Sequence, residues 1–316
     1  MSHIAQTAGE ETEATETRRN GKSALSEGAR AERKLGWTLC APAVVVMLLV
    51  TAYPIIYAIY LSLRRSDLRF PQQSKFVGID NYTTVLTSSI WWHSLWVTLA
   101  ITVISVIVEF AFGLALALVM HRTIWGRGGV RTAILIPYGI VTIAAGLGWQ
   151  YAWTPGIGWI QHLSGGAPLT NEYQSIGAII LAEIWKTTPF MALLLMAGLA
   201  LVPEELINAA KMDGATARER FVNVMLPVMK PAILVALLFR TLDAFRIFDN
   251  IYALTGGANG TGSVSFIGYD NLFVALNLGV GSAISVLIFI CVAIIAFIFI
   301  KAFGTATPGS DLGGRG

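Results

Sequence analysis

The sequence predicts an all-α integral membrane protein, one bundle of six transmembrane helices with both termini in the cytoplasm. Three observations carry that reading. Charged residues make up 13% of the 316 positions and hydrophobic ones 55%, with a mean hydropathy of +0.64. A soluble globular chain has about twice that charged share. Six stretches, 36–62, 94–120, 132–152, 176–201, 231–254 and 278–301, supply the roughly 20 mostly apolar residues that a hydrocarbon core requires. Basic residues then mark the sides. Arg18, Arg19, Lys22, Arg30, Arg33 and Lys34 precede the first stretch, and Arg122, Arg127 and Arg131 follow the second. Lys211, Arg218, Arg220 and Lys230 follow the fourth, and Lys301 and Arg315 the sixth, against Arg64, Arg65, Arg69 and Lys75 on the opposite side. Loops rich in Lys and Arg stay in the cytoplasm. The net charge of +3 is that bias and gives no reason to invoke nucleic acid.

Residues 1–30 read as a mobile cytoplasmic tail, because the first 25 carry almost no large apolar side chains to bury. Residues 31–303 read as the transmembrane domain and 304–316 as a second cytoplasmic tail. The segment SEGARAERKLGW (26–37) suits a short surface helix leading into the first span. The polar residues 1–35 and the length of the apolar run that follows do not fit a cleaved signal peptide. Tyr53-Pro54 lies late in that span, where neighbouring helices re-satisfy the carbonyl that Pro frees. Trp91, Trp92 and Trp96 at the edge of the second span fit an interfacial aromatic belt. The 153–175 loop, rich in Gly and Pro and without Lys or Arg, suits an outward-facing connector. Cys40 and Cys291 sit in apolar runs, and no Cys/His set has metal-ligand spacing.

A polar, helix-forming island, PEELINAAKMDGATARERFVNVMLPVMKP (203–231), separates spans four and five. Pro203 starts a helix, since its missing N–H would be unsatisfied there anyway. Glu204 and Glu205 complement the positive helix end. The helix runs to Asp213, and Gly214 supplies the left-handed turn that ends it. Thr216, with Glu219 three residues later, forms a capping box for a second helix. Pro227 and Pro231 interrupt the chain again as it re-enters the membrane. The expected product is helix, Gly corner, helix, stiff enough to transmit a push.

Ionisable groups inside the spans are the other signal, since a charge at the bilayer centre costs about 2.5–3.5 kcal/mol. Glu183 and Lys186 lie three apart in span four and can pair on one helical face. In span five Arg240, Asp243, Arg246 and Asp249 form a ladder of alternating sign, followed by Asn250. Two readings stand side by side: a lining for a water-filled path that offers donors and acceptors to a hydroxylated solute, or interhelical ion pairs. Glu109 in span two is expected to pair across helices. Tyr138, Trp149, Gln150, Tyr151 and Trp153, with Trp185 in span four, add aromatic and amide groups of the kind sugars pack against. Gly256 to Gly262 lacks the Gly-Lys-Ser/Thr ending of a nucleotide loop. It reads as an outer loop that touches a solute-binding protein. With no nucleophile–base set, the chain does not read as an enzyme.

Asn208-Ala209-Ala210, then Gly214, then Val224 and Leu226-Pro227 resemble the EAA loop by which permease subunits of bacterial ABC importers dock onto a separate ATPase. The stretches FVGIDNY (76–82) and FDNIYALTGG (248–257) are similar to segments of the sugar-type branch, and the likeness extends over about 36–303. It implies the type I importer fold, with Glu205, Asn208, Ala209, Ala210, Asp213, Gly214, Ala215, Arg218, Leu226 and Pro227 forming the ATPase-coupling surface. It further implies a second, different permease, two copies of a cytoplasmic ATPase that binds the ATP and Mg, and a lipid-anchored sugar-binding protein outside. No cofactor is then bound by this chain itself. The solute implied is a disaccharide, trehalose, moved by alternating access. The loop departs from the pattern where Asn208 stands for the usual Glu and Val224 for the usual Ile, so position 208 brings no charge. The residues alone leave an alternative: an ion-coupled carrier working through Glu183/Lys186 and Asp243/Arg246.

Overall fold

A computed structural model describes residues 27–122, 127–164 and 166–303. The expected tails therefore lie largely outside the described residues. By contacts the chain divides into two compact units, Met1–Tyr57 and Ala58–Gly316. Helix α1, Glu27–Ser62, supplies the described part of the first unit and continues into the second. Among the described residues the expected surface helix is not separate from the span: nothing between Glu27 and Pro42 breaks the turn, so the polar lead and the apolar run wind as one. Within the first unit Tyr53 and Tyr57 stack with ring centroids 6.0 Å apart.

The second unit opens with a small clip. Arg64–Arg65 (β1) pairs antiparallel with Lys75–Phe76 (β2). Asn81, the first full turn of α2 (Asp80–Thr87), donates its side-chain amide to Ser62 O at 2.7 Å and Arg64 O at 2.9 Å. Helix α3, Ser89–Arg122, crosses α7, Glu172–Leu199, along most of its length. Of the expected aromatic belt only Trp92 and Trp96 are exposed. Trp91 is buried among Phe245, Val264 and Ile284, because consecutive helical positions point about 100° apart.

Two expected spans are broken. The third divides into α4, Arg127–Gly139, and α5, Thr142–Trp153, bent by 85°. Pro137 weakens α4 near its end, and Val141 has the extended backbone of a cap. After the short α6, Trp159–Ser164, and α7, the elbow contributes α8, Glu204–Met212, and the single turn α9, Ala217–Glu219. A π-helical segment, Arg220–Met225, feeds α10, Leu226–Phe245. The fifth span stops there and restarts as α11, Asp249–Leu254. No Gly or Pro marks this second break. It is held from outside: Ser263 Oγ donates to Ile247 O at 2.7 Å and Gln150 Nε2 to Leu254 O at 3.2 Å. Helix α12, Val264–Tyr269, and a π segment, Asp270–Val274, lead into α13, Leu278–Phe303.

The core is layered along α3, α7 and α10. Near the elbow, Val106, Ala117, Met191, Leu195, Leu199, Met229 and Ala236 form one buried apolar cluster. Towards the opposite end Val97, Ile101, Ala178, Ile179, Ala182, Ile247 and Ile251 form another. Between them each helix presents buried polar residues, Glu109 on α3, Glu183, Lys186, Thr187 and Thr188 on α7 and Arg240 on α10. Close approach of α5 to α11 depends on Gly146, where a Cβ would meet Ala253 Cβ at 2.5 Å. Small residues let membrane helices touch in this way. Gly146→Val is expected to cost about 1–3 kcal/mol through overpacking, read as a lower unfolding midpoint of the purified protein in detergent. Gly148→Val, which meets nothing within 4 Å, is the matched control and should leave the midpoint unchanged.

Candidate functional site

The polar layer is organised by Arg240, whose side chain is fully buried. Its Nε donates to Glu109 Oε2 at 2.5 Å and its Nη2 to Glu109 Oε1 at 3.0 Å. Nη2 also reaches Glu183 Oε1 at 2.6 Å and Thr187 Oγ1 at 3.0 Å, while Nη1 donates to Asp243 Oδ2 at 2.8 Å. Asn250 on α11 donates its amide to the other oxygen of Glu183. One guanidinium thus ties α3, α7 and α10 together, with α11 joined through Asn250. The planar fork of arginine suits this, because it offers five N–H donors in fixed directions.

Glu109 does pair across helices as expected. The supposed Glu183–Lys186 pair does not form: Glu183 is turned to Arg240 and Asn250, and Lys186 Nζ donates to Ile140 O at 2.6 Å and Tyr138 O at 3.4 Å. Lys186 also sits 5.9 Å from the centroid of the Tyr138 ring. The bend between α4 and α5 leaves carbonyls without helical partners, and the ammonium supplies the missing donors. The charge ladder of span five is likewise cut. Arg240 and Asp243 pair, but Arg246 caps α10 and Asp249 opens α11, so the three-residue spacing carries no common helical face beyond Phe245.

These two breaks face one cavity of about 550 Å³, a size usual for small-molecule sites, which run from about 300 to 1,000 Å³. Its wall brings together Tyr138, Glu183, Lys186, Asp243, Arg246, Asp249 and Asn250, with Ile140, Val141, Thr142, Thr187, Ile247 and Phe248. Ile140, Val141 and Thr142 were not singled out from the sequence; the signal was Pro137, since residues just after a broken span line whatever the break encloses. Trp185 and Gln150 are not brought to this cavity. Gln150 is engaged with Leu254 O. Trp185 packs edge-to-face on Trp149 at 5.8 Å, in a separate apolar cavity with Trp159.

The elbow is locked by local bonds. Ala215 N donates to Ala210 O at 2.9 Å and Gly214 N to Lys211 O at 3.1 Å, the paired bonds of a Schellman ending, with Gly214 at φ +80. Asp213 N returns to Ala209 O at 3.0 Å. Glu219 Oε2 accepts from Thr216 N at 2.7 Å, and Thr216 Oγ1 from Glu219 N at 3.3 Å. Arg220 Nη1 donates to Ala215 O at 2.5 Å across the corner. Ile207, Phe221 and Leu226 pack the elbow onto the apolar cluster of Met225 and Met229. Glu205, Asn208, Ala209, Arg218 and Pro227 face outward, and Asn208 Oδ1 accepts from Lys211 Nζ at 3.1 Å.

A bundle of apolar helices with a polar cavity between broken spans and a rigid elbow at one end is the architecture of a membrane permease. Residues 109–307 match the family described as binding-protein-dependent transport system inner membrane component, and the chain belongs to it. It is a multi-pass permease subunit of an ABC importer, a transport component without catalysis of its own, and membership brings a partner permease, an ATPase and a substrate-binding protein. The chain is 63% identical over 287 residues to the trehalose transport system permease protein SugA of Mycobacterium tuberculosis, covering 90% of this chain and 94% of that one. It is 39% identical over 278 residues to the trehalose/maltose transport system permease protein MalF of Thermococcus litoralis, covering 85% and 94%. The fold also matches a crystal structure of a bacterial ABC transporter involved in the import of the acidic polysaccharide alginate. There the TM-score is 0.76 at 20% identity, over 89% of this chain and all of the other. A stand-alone ion-coupled carrier has no place in a binding-protein-dependent family. Among the described residues no group of three or more His, Cys, Asp or Glu could hold a metal ion.

The buried layer makes a sharp stability prediction. Arg240→Met leaves Glu109 and Glu183 unpaired and is expected to cost roughly 3–5 kcal/mol. Its readout is a lowered unfolding midpoint or loss of folded protein in the membrane fraction. Adding Glu109→Gln should restore part of the loss, because one buried carboxylate is then neutral.

Proposed function

We propose that this chain is the translocating subunit of an ATP-driven sugar importer whose solute is trehalose. The observation that carries the solute is the 63% identity, over nearly the whole chain, to a trehalose permease. The cavity chemistry supports it. Glu183, Asp243 and Asp249 accept from sugar hydroxyls, while Lys186 and Arg246 donate to them. A neutral polyol satisfies both signs, whereas an anion meets more acid than base. Tyr138, itself stacked on Phe190 at 5.1 Å, offers a ring face on the same wall.

In this reading the 203–230 loop, through Glu205, Asn208, Ala209, Ala210, Asp213, Gly214, Ala215, Arg218, Leu226 and Pro227, sits on one of two ATPase copies that bind the ATP and Mg. Both termini lie on that cytoplasmic side, in keeping with the distribution of Lys and Arg. ATP binding draws the ATPases together, the elbow moves with them, and the bundle opens to the far side. There a lipid-anchored receptor delivers the sugar, and hydrolysis reverses the motion. A second, different permease completes the cavity. Because Asn208 carries no charge, position 208 itself adds no salt bridge to the ATPase, and the partner permease has a loop closer to the usual pattern.

The test uses the assembled importer in vesicles. Trehalose with its receptor should stimulate ATP hydrolysis, and stimulation by a different sugar instead would overturn the solute assignment. Gly214→Val forces a β-branched residue into left-handed backbone, at a local cost of about 1–2 kcal/mol. ATP-driven trehalose uptake should then fall at least about tenfold, given that a small misplacement of a working group can cost about 100-fold. Unchanged uptake would sink the elbow's role.

A further inference from the structure

An aromatic ladder runs from the surface opposite the elbow to the cavity. Phe273, 66% exposed, lies 5.1 Å from Tyr269, and Tyr269 lies 4.9 Å from Phe248, centroid to centroid. Tyr252, 47% exposed, flanks both, 5.5 Å from Phe248 and 5.7 Å from Tyr269. Phe248 is also part of the cavity wall. Behind it Phe266, 6.3 Å away, fixes the array to the apolar cluster around Ile247 and Ile251. The rings come from three elements, α11, α12 and the π segment 270–274, so their alignment is a product of the tertiary fold.

The geometry points to this ladder as a carbohydrate-binding ramp, along which a sugar passes from the receptor side into the cavity. This rests on the sugar-import reading above and adds a binding site to it. Two observations separate a ramp from a lipid-facing patch. First, neither the Tyr252 nor the Tyr269 hydroxyl has a hydrogen-bond partner among the described residues. A phenol hydroxyl is poorly suited to hydrocarbon and well suited to a hydroxylated ligand. Second, the ladder is continuous with the cavity through Phe248. The C–H faces of a pyranose are apolar and its rim is hydroxylated, which matches ring faces bordered by phenol oxygens. Successive rings about 5 Å apart let the sugar keep one contact while it makes the next.

Vesicles of the assembled importer, given its receptor and trehalose, provide the test. Tyr269→Leu and Tyr252→Leu should each lower the uptake rate at saturating loaded receptor by about fivefold or more, a change equal to about 1 kcal/mol. Tyr269→Trp and Tyr252→Phe, which keep a ring, should retain most of it. Leucine variants that transport as well as the aromatic ones would overturn the ramp and leave only apolar packing. If a variant fails to assemble, wild-type protein decides: a photoreactive trehalose analogue should label residues 248–273 during turnover. No label there, or crosslinks from this face to the partner permease alone, overturns the proposal. If the wild type moves another sugar and not trehalose, the solute assignment fails. The same aromatic-versus-leucine comparison with that sugar then tests the ramp independently.

Discussion

The Arg240 guanidinium, locked between the carboxylates of Glu109 and Glu183 and extended to Asp243, is the interaction on which the rest of the architecture depends. A buried charge of this kind is not a cheap source of stability, since desolvation offsets much of the Coulombic gain. What it supplies is definition. Leu, Met and Ala on α3, α7 and α10 could pack in several registers against one another in lipid, where apolar surfaces have no preference for protein over acyl chains. A five-donor fork meeting three carboxylates permits one arrangement. That arrangement sets the depth at which Glu183 and Asp243 open onto the cavity.

The same layer divides the bundle into two apolar blocks with different duties. The block near the elbow gathers Ile207, Phe221, Leu226 and Met229 onto α7 and α3, so displacement of the elbow acts on packed side chains and not on a slack connector. The opposite block holds the short α11 beside the cavity through Ile247 and Ile251. In the proposed mechanism, force entering at Gly214 and a solute near Phe248 would be linked through this one buried polar plane.

Local chemistry was readable from the chain. Thr216 with Glu219 and Gly214 after Asp213 specify their turns through neighbours a few residues away, so the elbow could be drawn without knowing what it packs against. The apolar stretches identified the helices for the same reason, since lipid as a solvent acts on each span separately. The first break had a signal in Pro137, and the second had none. Phe245 to Asp249 contains no Pro or Gly, and its interruption is held by Ser263 and, across the fold, by Gln150. Glu183 and Lys186 illustrate the opposite error. Their spacing allows a pair, yet stronger partners distant in sequence, Arg240 for one and the Tyr138 and Ile140 carbonyls for the other, claim both ends. Pattern within a helix reports which groups can meet, and competition among helices decides which do.

The lysine that holds the kink after Pro137 has one further consequence. Its ammonium hydrates strongly, and the two carbonyls it serves would otherwise call for water at membrane depth. Any movement that straightens the kink must therefore release the ammonium and the carbonyls together, and both are rewetted in the same step.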